Sequence, residues 1–547
     1  MSDPRRERLL DLLVPAAGIH PAFTAVDPDG VLLARVIAIR PPLAGVVDRA
    51  LDALPEDFGA ADLEAHAARD ADGFEALREL VFGAYYLSPA VRRVIGYDGQ
   101  QAQSLPRDGF GAEELAMAML ESPPRWRDPR QTTPATGPAP GDQRRTAMHA
   151  HPVRHVANPL AVRGDYGTRQ RAVLNHAAGA EAAAEIAAWP GYAPTPLLSL
   201  PGAAARLGVG QVLYKDEGRR FDLKSFKALG GAYAVLRILQ RRLADTGVTA
   251  SAAELIAGAH RDRVADITVA TATDGNHGRS VAWGAGLFGC RSVVYIHENV
   301  SAEREAAIAA YGAEMHRVAG GYDDSVRAVA RDSAERGWTL VADTSSEGGR
   351  DVPMTVMQGY TLIAEEVLAV TGAEPATHVF VQAGVGGLAA ALAGHFWERF
   401  GAARPRLVVV EPNLADCVFQ TVEAGRLVAL EGSTDTFMAC LAAGEVSPVA
   451  WEILEGGLDD VVALPDEAAM DAMRLLADGI DGDPPIVAGE SGAAAFAGLV
   501  AAALDGEAGA RLGLDAASRV LVIGSEGATD PATYARVVGR PAEAVAP

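Results

Sequence analysis

Lysine is nearly missing from this chain. Of its 48 lysines and arginines only three are lysines, Lys215, Lys224 and Lys227, and all three fall in one short stretch. Arginine supplies charge and forked hydrogen bonds, but it stays protonated and forms no imine with a carbonyl. A chain that uses arginine elsewhere and gathers its lysines is read as needing amine chemistry there. The competing reading is chance clustering on a solvated helix. Cysteine is equally scarce: Cys290, Cys417 and Cys440 stand apart, without metal-ligand spacing. That argues against a zinc site, so no metal is expected, and it suits a cytoplasmic protein. No run of about 18 apolar residues occurs, so no membrane span is predicted. The first residues, Met-Ser-Asp-Pro-Arg-Arg-Glu-Arg, lack the apolar core of a secretory signal. Positive charge is in deficit as well. A formal net charge of -23 repels phosphodiester backbones and makes nucleic acid an unsuitable partner.

What is present points to a multidomain globular chain, since 547 residues exceed what one hydrophobic core usually organises. Residues 1–122 read as a mostly helical domain whose role the sequence does not disclose. Phe74, Leu77, Leu80, Val81 and Tyr85 recur at helical spacing there, and Ser88-Pro89 reads as the start of a further helix. Residues 123–155, rich in proline, glycine and arginine, read as a linker. On that reading His149, His151 and His155 are solvated linker residues rather than metal ligands. From 156 to 547, strands predicted at 212–215, 267–270, 292–296, 340–342, 378–382, 407–411 and 520–524 alternate with helices. The helices are predicted at 225–242, 278–288, 302–311, 354–370 and 467–479. Alternation on this scale predicts an α/β fold with a parallel, doubly covered sheet.

Four loops at predicted strand ends carry the chemistry. Lys215-Asp-Glu-Gly-Arg-Arg-Phe-Asp-Leu-Lys-Ser-Phe-Lys227 runs from a strand into a helix start. This places one amine near the carboxyl ends of the strands, where doubly wound sheets bind ligands. Partial burial beside other cations is expected to lower its pKa. Thr273-Asp-Gly-Asn-His-Gly-Arg279 opens a helix, offering backbone donors to an anion such as a carboxylate, the amide of Asn276 and the carboxylate of Asp274. An ordinary Asx turn is the alternative. Gly384, Val385, Gly386, Gly387 and Leu388 follow a Val-Phe-Val strand and aim successive N–H groups at a phosphate. Ser525, at the end of the last predicted strand, either meets a ring nitrogen or caps the next helix.

This order of loops resembles the fold type II, tryptophan-synthase-β-like pyridoxal-phosphate enzymes, and within them the diaminopropionate ammonia-lyases. The resemblance covers about residues 156–540. It rests on Tyr192-Ala-Pro-Thr-Pro-Leu, the lysine segment ending at Lys227, Ala272-Thr-Asp-Gly-Asn-His-Gly-Arg, Tyr322-Asp-Asp and Asp343-Thr-x-x-Glu-Gly. Val356-Met-Gln-Gly-Tyr360, Gln382-Ala-Gly-Val-Gly and Glu411-Pro-x-x-Ala-Asp-Cys417 extend it. It implies two doubly wound parallel-sheet subdomains with pyridoxal 5'-phosphate between them. By the same resemblance Lys227 carries the cofactor as an imine, Asn276 holds its 3'-oxygen, residues 384–388 bind its phosphate, and Ser525 sits at its pyridine nitrogen. Asp274 and Asp343 match aspartates that take the α-proton. The implied reaction is β-elimination from 2,3-diaminopropionate to pyruvate and ammonia, in a cytoplasmic homodimer. The alternatives are a hydroxyamino-acid dehydratase, a β-replacement synthase, or a ligand-binding regulatory module that has lost catalysis.

The chain departs from the family pattern in places. Where the family has Asp-Thr-Ala-Trp-Glu-Gly-Tyr, this sequence reads Asp343-Thr-Ser-Ser346-Glu-Gly-Gly349-Arg350. Arg219, Lys224 and Arg350 are extra cations, so a roomier and more basic pocket is expected; side chains pointing to solvent are the other reading. Cys417 matches a family cysteine whose partner position is Ala443 here, and Cys440 lies one helical turn away. A Cys417–Cys440 disulfide is set against two free thiols.

Overall fold

The computed structural model describes residues 4–14, 22–27, 30–39, 43, 45–88, 91 and 148–545, apart from 274, 346–348, 373 and 375. The chain divides into two compact units, residues 1–135 and 136–547, within the stretch predicted as linker. In the first unit the described elements are helices, the longest Ala71–Leu87. Its apolar residues at helical spacing, Leu77, Leu80, Val81 and Tyr85, join Leu9, Phe23 and Phe58 in a separate core. Ser88 follows that helix as its C-cap, and Pro89 lies outside the described residues.

The second unit holds two sheets. Its strands are β1 (Arg154–Ala157), β2 (Leu197–Ser199), β3 (Gln211–Asp216), β4 (Thr268–Ala272), β5 (Arg291–His297), β6 (Glu314–Val318), β7 (Thr339–Leu340), β8 (His378–Gln382), β9 (Arg406–Pro412), β10 (Asp460–Leu464) and β11 (Arg519–Gly524). One sheet runs β1-β10-β9-β8-β11-β3-β2 and the other β6-β5-β4-β7. The smaller sheet is wholly parallel. The larger is parallel except at its edges, where β1 and β2 pair antiparallel with β10 and β3. Its faces are covered on both sides, and the alternation of strand side chains shows it: Val379 and Val381 of β8 enter one core, Phe380 the other. Among the described residues no helix is long and apolar enough to cross a membrane.

Several expectations change. The last two residues of the predicted linker are strand: Arg154 and His155 begin β1. His155 Nε2 lies 2.9 Å from Asp460 Oδ1, and His151 Nε2 lies 2.9 Å from Asp471 Oδ2, so neither is a free linker side chain. The helix predicted at 354–370 is two helices, Asp351–Tyr360 and Leu362–Thr371, meeting at Thr361. Four strands escaped prediction. β2 has three residues, β6 reads Glu-Met-His-Arg-Val, and β1 and β10 carry charges at their ends that only pairing makes compatible with burial. Asp460, fully buried, is met by His155 and Arg406.

Candidate active site

A cavity of about 910 Å³ lies at the carboxyl ends of the strands. It is lined by Lys227, Asn276, Asp343, the whole turn 384–388 and Ser525, so the loops singled out in the sequence converge. Asp274 lies outside the described residues.

The lysine loop is fastened to the end of β11. Phe226 N donates to Ser525 O at 3.0 Å and Gly527 N donates to Lys224 O at 2.9 Å. Making that turn puts Phe221 and Lys224 at φ of 46° and 55°, a region that costs a residue with a Cβ about 1–2 kcal/mol. The helix Lys227–Ala244 starts there, and its first side chain enters the cavity. Lys227 Nζ donates to Asp343 Oδ2 at 2.5 Å. The expected lowering of its pKa is reversed. Burial pulls it down, but the Asp343 carboxylate outweighs burial and holds the amine well above the usual lysine range. Burial likewise opposes ionisation of Asp343, and Lys227 with His277 overrides it, holding the carboxyl well below its usual range. The predicted neighbouring cations are elsewhere. Lys215 is 1% exposed and buried against Thr195 O and Glu366, and Lys224 is exposed.

His277 follows Asn276 in the helix Asn276–Phe288. Its Nε2 donates to Val341 O at 2.9 Å, leaving Nδ1 facing Asp343 Oδ2 at 3.9 Å. Burial lowers its pKa despite Asp343, so the ring is neutral and Nδ1 is a proton acceptor. The Asn276 amide donates to the buried Glu526 carboxylate and lies 3.4 Å from Cys440 Sγ.

Across the cavity, the helix Gly387–Phe400 is entered through Gly386 at φ 91°, which only glycine adopts freely. Among the described residues, no N–H from 384 to 388 donates a backbone hydrogen bond, so the turn presents an array of free donors. Gln382 Nε2 donates to Ser525 Oγ at 2.5 Å, which leaves the serine O–H free to donate in turn. An amine, a cradle of N–H groups and a hydroxyl donor are the functional groups that a pyridoxal phosphate requires, so the residues present fit that cofactor.

The cations expected to make the pocket basic do not line it. Arg219 reaches Asp216 at 3.7 Å and Arg350 reaches Glu452 at 3.0 Å, both half-exposed outside the cavity. Among the described residues the arginine that lines it is Arg327, held by Asp324 at 2.6 Å. Ser346 lies outside the described residues. Cys417 and Cys440 are free thiols: Cys417 is buried near Gly384 O and Glu411, whereas Cys440 lines the cavity. Residue-by-residue reading missed His277, Tyr360, Gln382, Cys440 and Glu526 as cavity residues. Their signal was faint, since His277, Tyr360 and Gln382 sit inside motifs noted for other residues.

Fold and site together define a pyridoxal-phosphate-dependent enzyme, and the family model of that description matches residues 188–525. The diaminopropionate ammonia-lyase of Escherichia coli K12 is 38% identical over 363 residues, covering 65% of this chain and 90% of that protein. That of Salmonella typhimurium LT2 is 37% identical over 387 residues, covering 69% and 96%. The crystal structure of the E. coli enzyme in complex with D-serine superposes with a TM-score of 0.65 at 33% identity, covering 72% of this chain and 98% of that one. The chain belongs to the diaminopropionate ammonia-lyase family.

Proposed function

We propose that this protein cleaves 2,3-diaminopropionate by β-elimination to pyruvate and ammonia. The observation that carries this reading is the pairing of Lys227 with Asp343 in a cavity whose opposite wall is the free N–H turn. Residues 384–388 would hold the cofactor's phosphate, Asn276 its 3'-oxygen and Ser525, polarised by Gln382, its pyridine nitrogen. Bound pyridoxal 5'-phosphate supplies an electron sink that acidifies the substrate α-carbon. Asp343 takes the α-proton from one face, and Asp274 is assigned the other. While the Lys227 ammonium sits beside it, Asp343 is a weak base. Once that charge is gone, burial is the largest remaining influence on Asp343 and strengthens it as a proton acceptor. His277 Nδ1 can then receive the proton from Asp343. The family resemblance extends the proposal to a homodimer, and unpaired cysteines suit a cytoplasmic setting.

The test is a substrate panel. Holoenzyme given diaminopropionate, serine, threonine, hydroxyaspartate or phosphoserine should release 2-oxo acid fastest from the diamine, as pyruvate with two ammonia each; threonine would give 2-oxobutyrate and hydroxyaspartate oxaloacetate, with one ammonia each. Lys227→Ala should abolish both turnover and the near-visible absorption of the bound cofactor, and Lys224→Ala should keep both. Preference for a hydroxyamino acid, or no pyruvate, would overturn the assignment.

A further inference from the structure

Tyr360 ends the helix Asp351–Tyr360, is 1% exposed and lines the cavity. Among the described residues its hydroxyl makes no hydrogen bond. Native proteins seldom leave a buried hydroxyl unpaired unless water or a ligand completes it. The surroundings specify the partner. Burial raises the phenol's pKa well above the usual tyrosine range, Lys227 opposing and Asp343 assisting, so the oxygen keeps its proton and is available as a donor. Its ring lies against two glycines. A Cβ on Gly230, one turn beyond Lys227, would come 2.5 Å from the ring's Cε1, and one on Gly387 would come 3.9 Å from Cε2. Phe226 closes the remaining side at a centroid distance of 4.7 Å. The ring is thus packed between the first turn of the lysine helix and the N-terminus of the helix that follows the free N–H turn. An anion held by the free N–H turn would supply an acceptor beside that ring.

We propose that Tyr360 donates a hydrogen bond to a phosphate oxygen of bound pyridoxal 5'-phosphate, and so sets the preference for the phosphorylated cofactor over pyridoxal. The inference rests on the cofactor site described above and adds to it a side chain outside the glycine turn. A charge-assisted bond of this kind is worth about tenfold or more in affinity.

Apoprotein and its Tyr360→Phe variant are titrated with pyridoxal phosphate and with pyridoxal, reading the near-visible absorption. The variant should bind pyridoxal phosphate about tenfold more weakly and pyridoxal within about twofold of wild type. Inorganic phosphate gives a second readout that does not depend on the amine. It should raise the melting temperature of wild-type apoprotein more than that of the variant, each compared with its own phosphate-free value. Equal weakening toward both aldehydes would assign Tyr360 to packing or to Lys227 and overturn the proposal, as would unchanged binding of pyridoxal phosphate. Wild type that binds neither aldehyde would instead overturn the cofactor site itself.

Discussion

Lys227 and Asp343 keep each other ionised, and the pH range over which they do so follows from the direction of each shift. Lys227 is raised, so its contribution to stability is present below the unfolded value near about 10.4 and is lost as pH rises through the folded one. Asp343 is depressed, so its contribution is present above about 3.9 and is lost as pH falls through the lower folded value. From about pH 5 to 9 the amine is therefore a salt-bridged ammonium until a ligand competes for it. Asp343→Asn removes the group that overrides burial, and burial alone then lowers the Lys227 pKa. The expected outcome is that the rate of amine capture by an added aldehyde half-rises at a lower pH in the variant. A half-rise at wild-type or higher pH would show that Asp343 does not set the charge state. Residues of this kind were unevenly legible. Scarcity marked the stretch from Lys215 to Lys227, because one side-chain type had been withdrawn from the rest of the chain, and the family resemblance singled out Lys227 within it. Asp343 needed a family pattern. Glu526 was beyond reach, since its meeting with Asn276 joins positions 250 residues apart and no local pattern encodes that.

At the scale of elements, a buried ionic cluster fixes how β3 leads into the lysine loop. Lys215, next to last in this strand, pairs with Glu366 of the helix Leu362–Thr371. Arg220 reaches Glu366 Oε1 at 2.7 Å and Glu217 Oε2 at 2.8 Å, and Thr195 Oγ1 donates to Glu217 Oε1 at 2.6 Å. Each charge is compensated, which makes removal of one costly. Lys215→Met leaves two buried carboxylates to one guanidinium, and such a break costs about 3–5 kcal/mol. A melting temperature several degrees lower is expected, with the cofactor absorption retained by the folded fraction; an unchanged melting temperature would argue against the cluster's role. Sequence reading placed Lys215 near a strand end correctly, yet grouped it with Lys227. Period and propensity report which face a residue occupies, not whether a distant glutamate waits there. The same limit explains β10, whose leading aspartate reads as surface until His155 and Arg406 are seen beside it.

The whole molecule is two units on one chain, each with its own packing. Among the described residues, the cluster that holds Leu9, Phe23, Phe58 and Leu77 includes none beyond Val91, and the strand pairings of residues 136–547 involve none of it. Deleting residues 1–147 should therefore leave a folded, cofactor-binding protein. Deleting 1–158 takes β1 as well, uncovers the edge of β10 and strips Asp460 of His155. The longer deletion should lower the melting temperature by several degrees relative to the shorter one. Equal melting temperatures would count against β1 as part of the catalytic sheet. The alternation of strands and helices made the α/β class legible. The two sheets were legible only through the family resemblance, because strand pairing across the chain leaves no trace in local periodicity.

The distribution of lysines reaches beyond catalysis. With Lys215 walled in and Lys227 turned inward, Lys224 is the one exposed side-chain amine in the chain. Acetyl, succinyl or ubiquitin-type tags, which need such an amine, have a single address on the folded surface. That address lies three residues from Lys227, so any tag placed there would hang on the loop that Ser525 and Gly527 fasten to the end of β11.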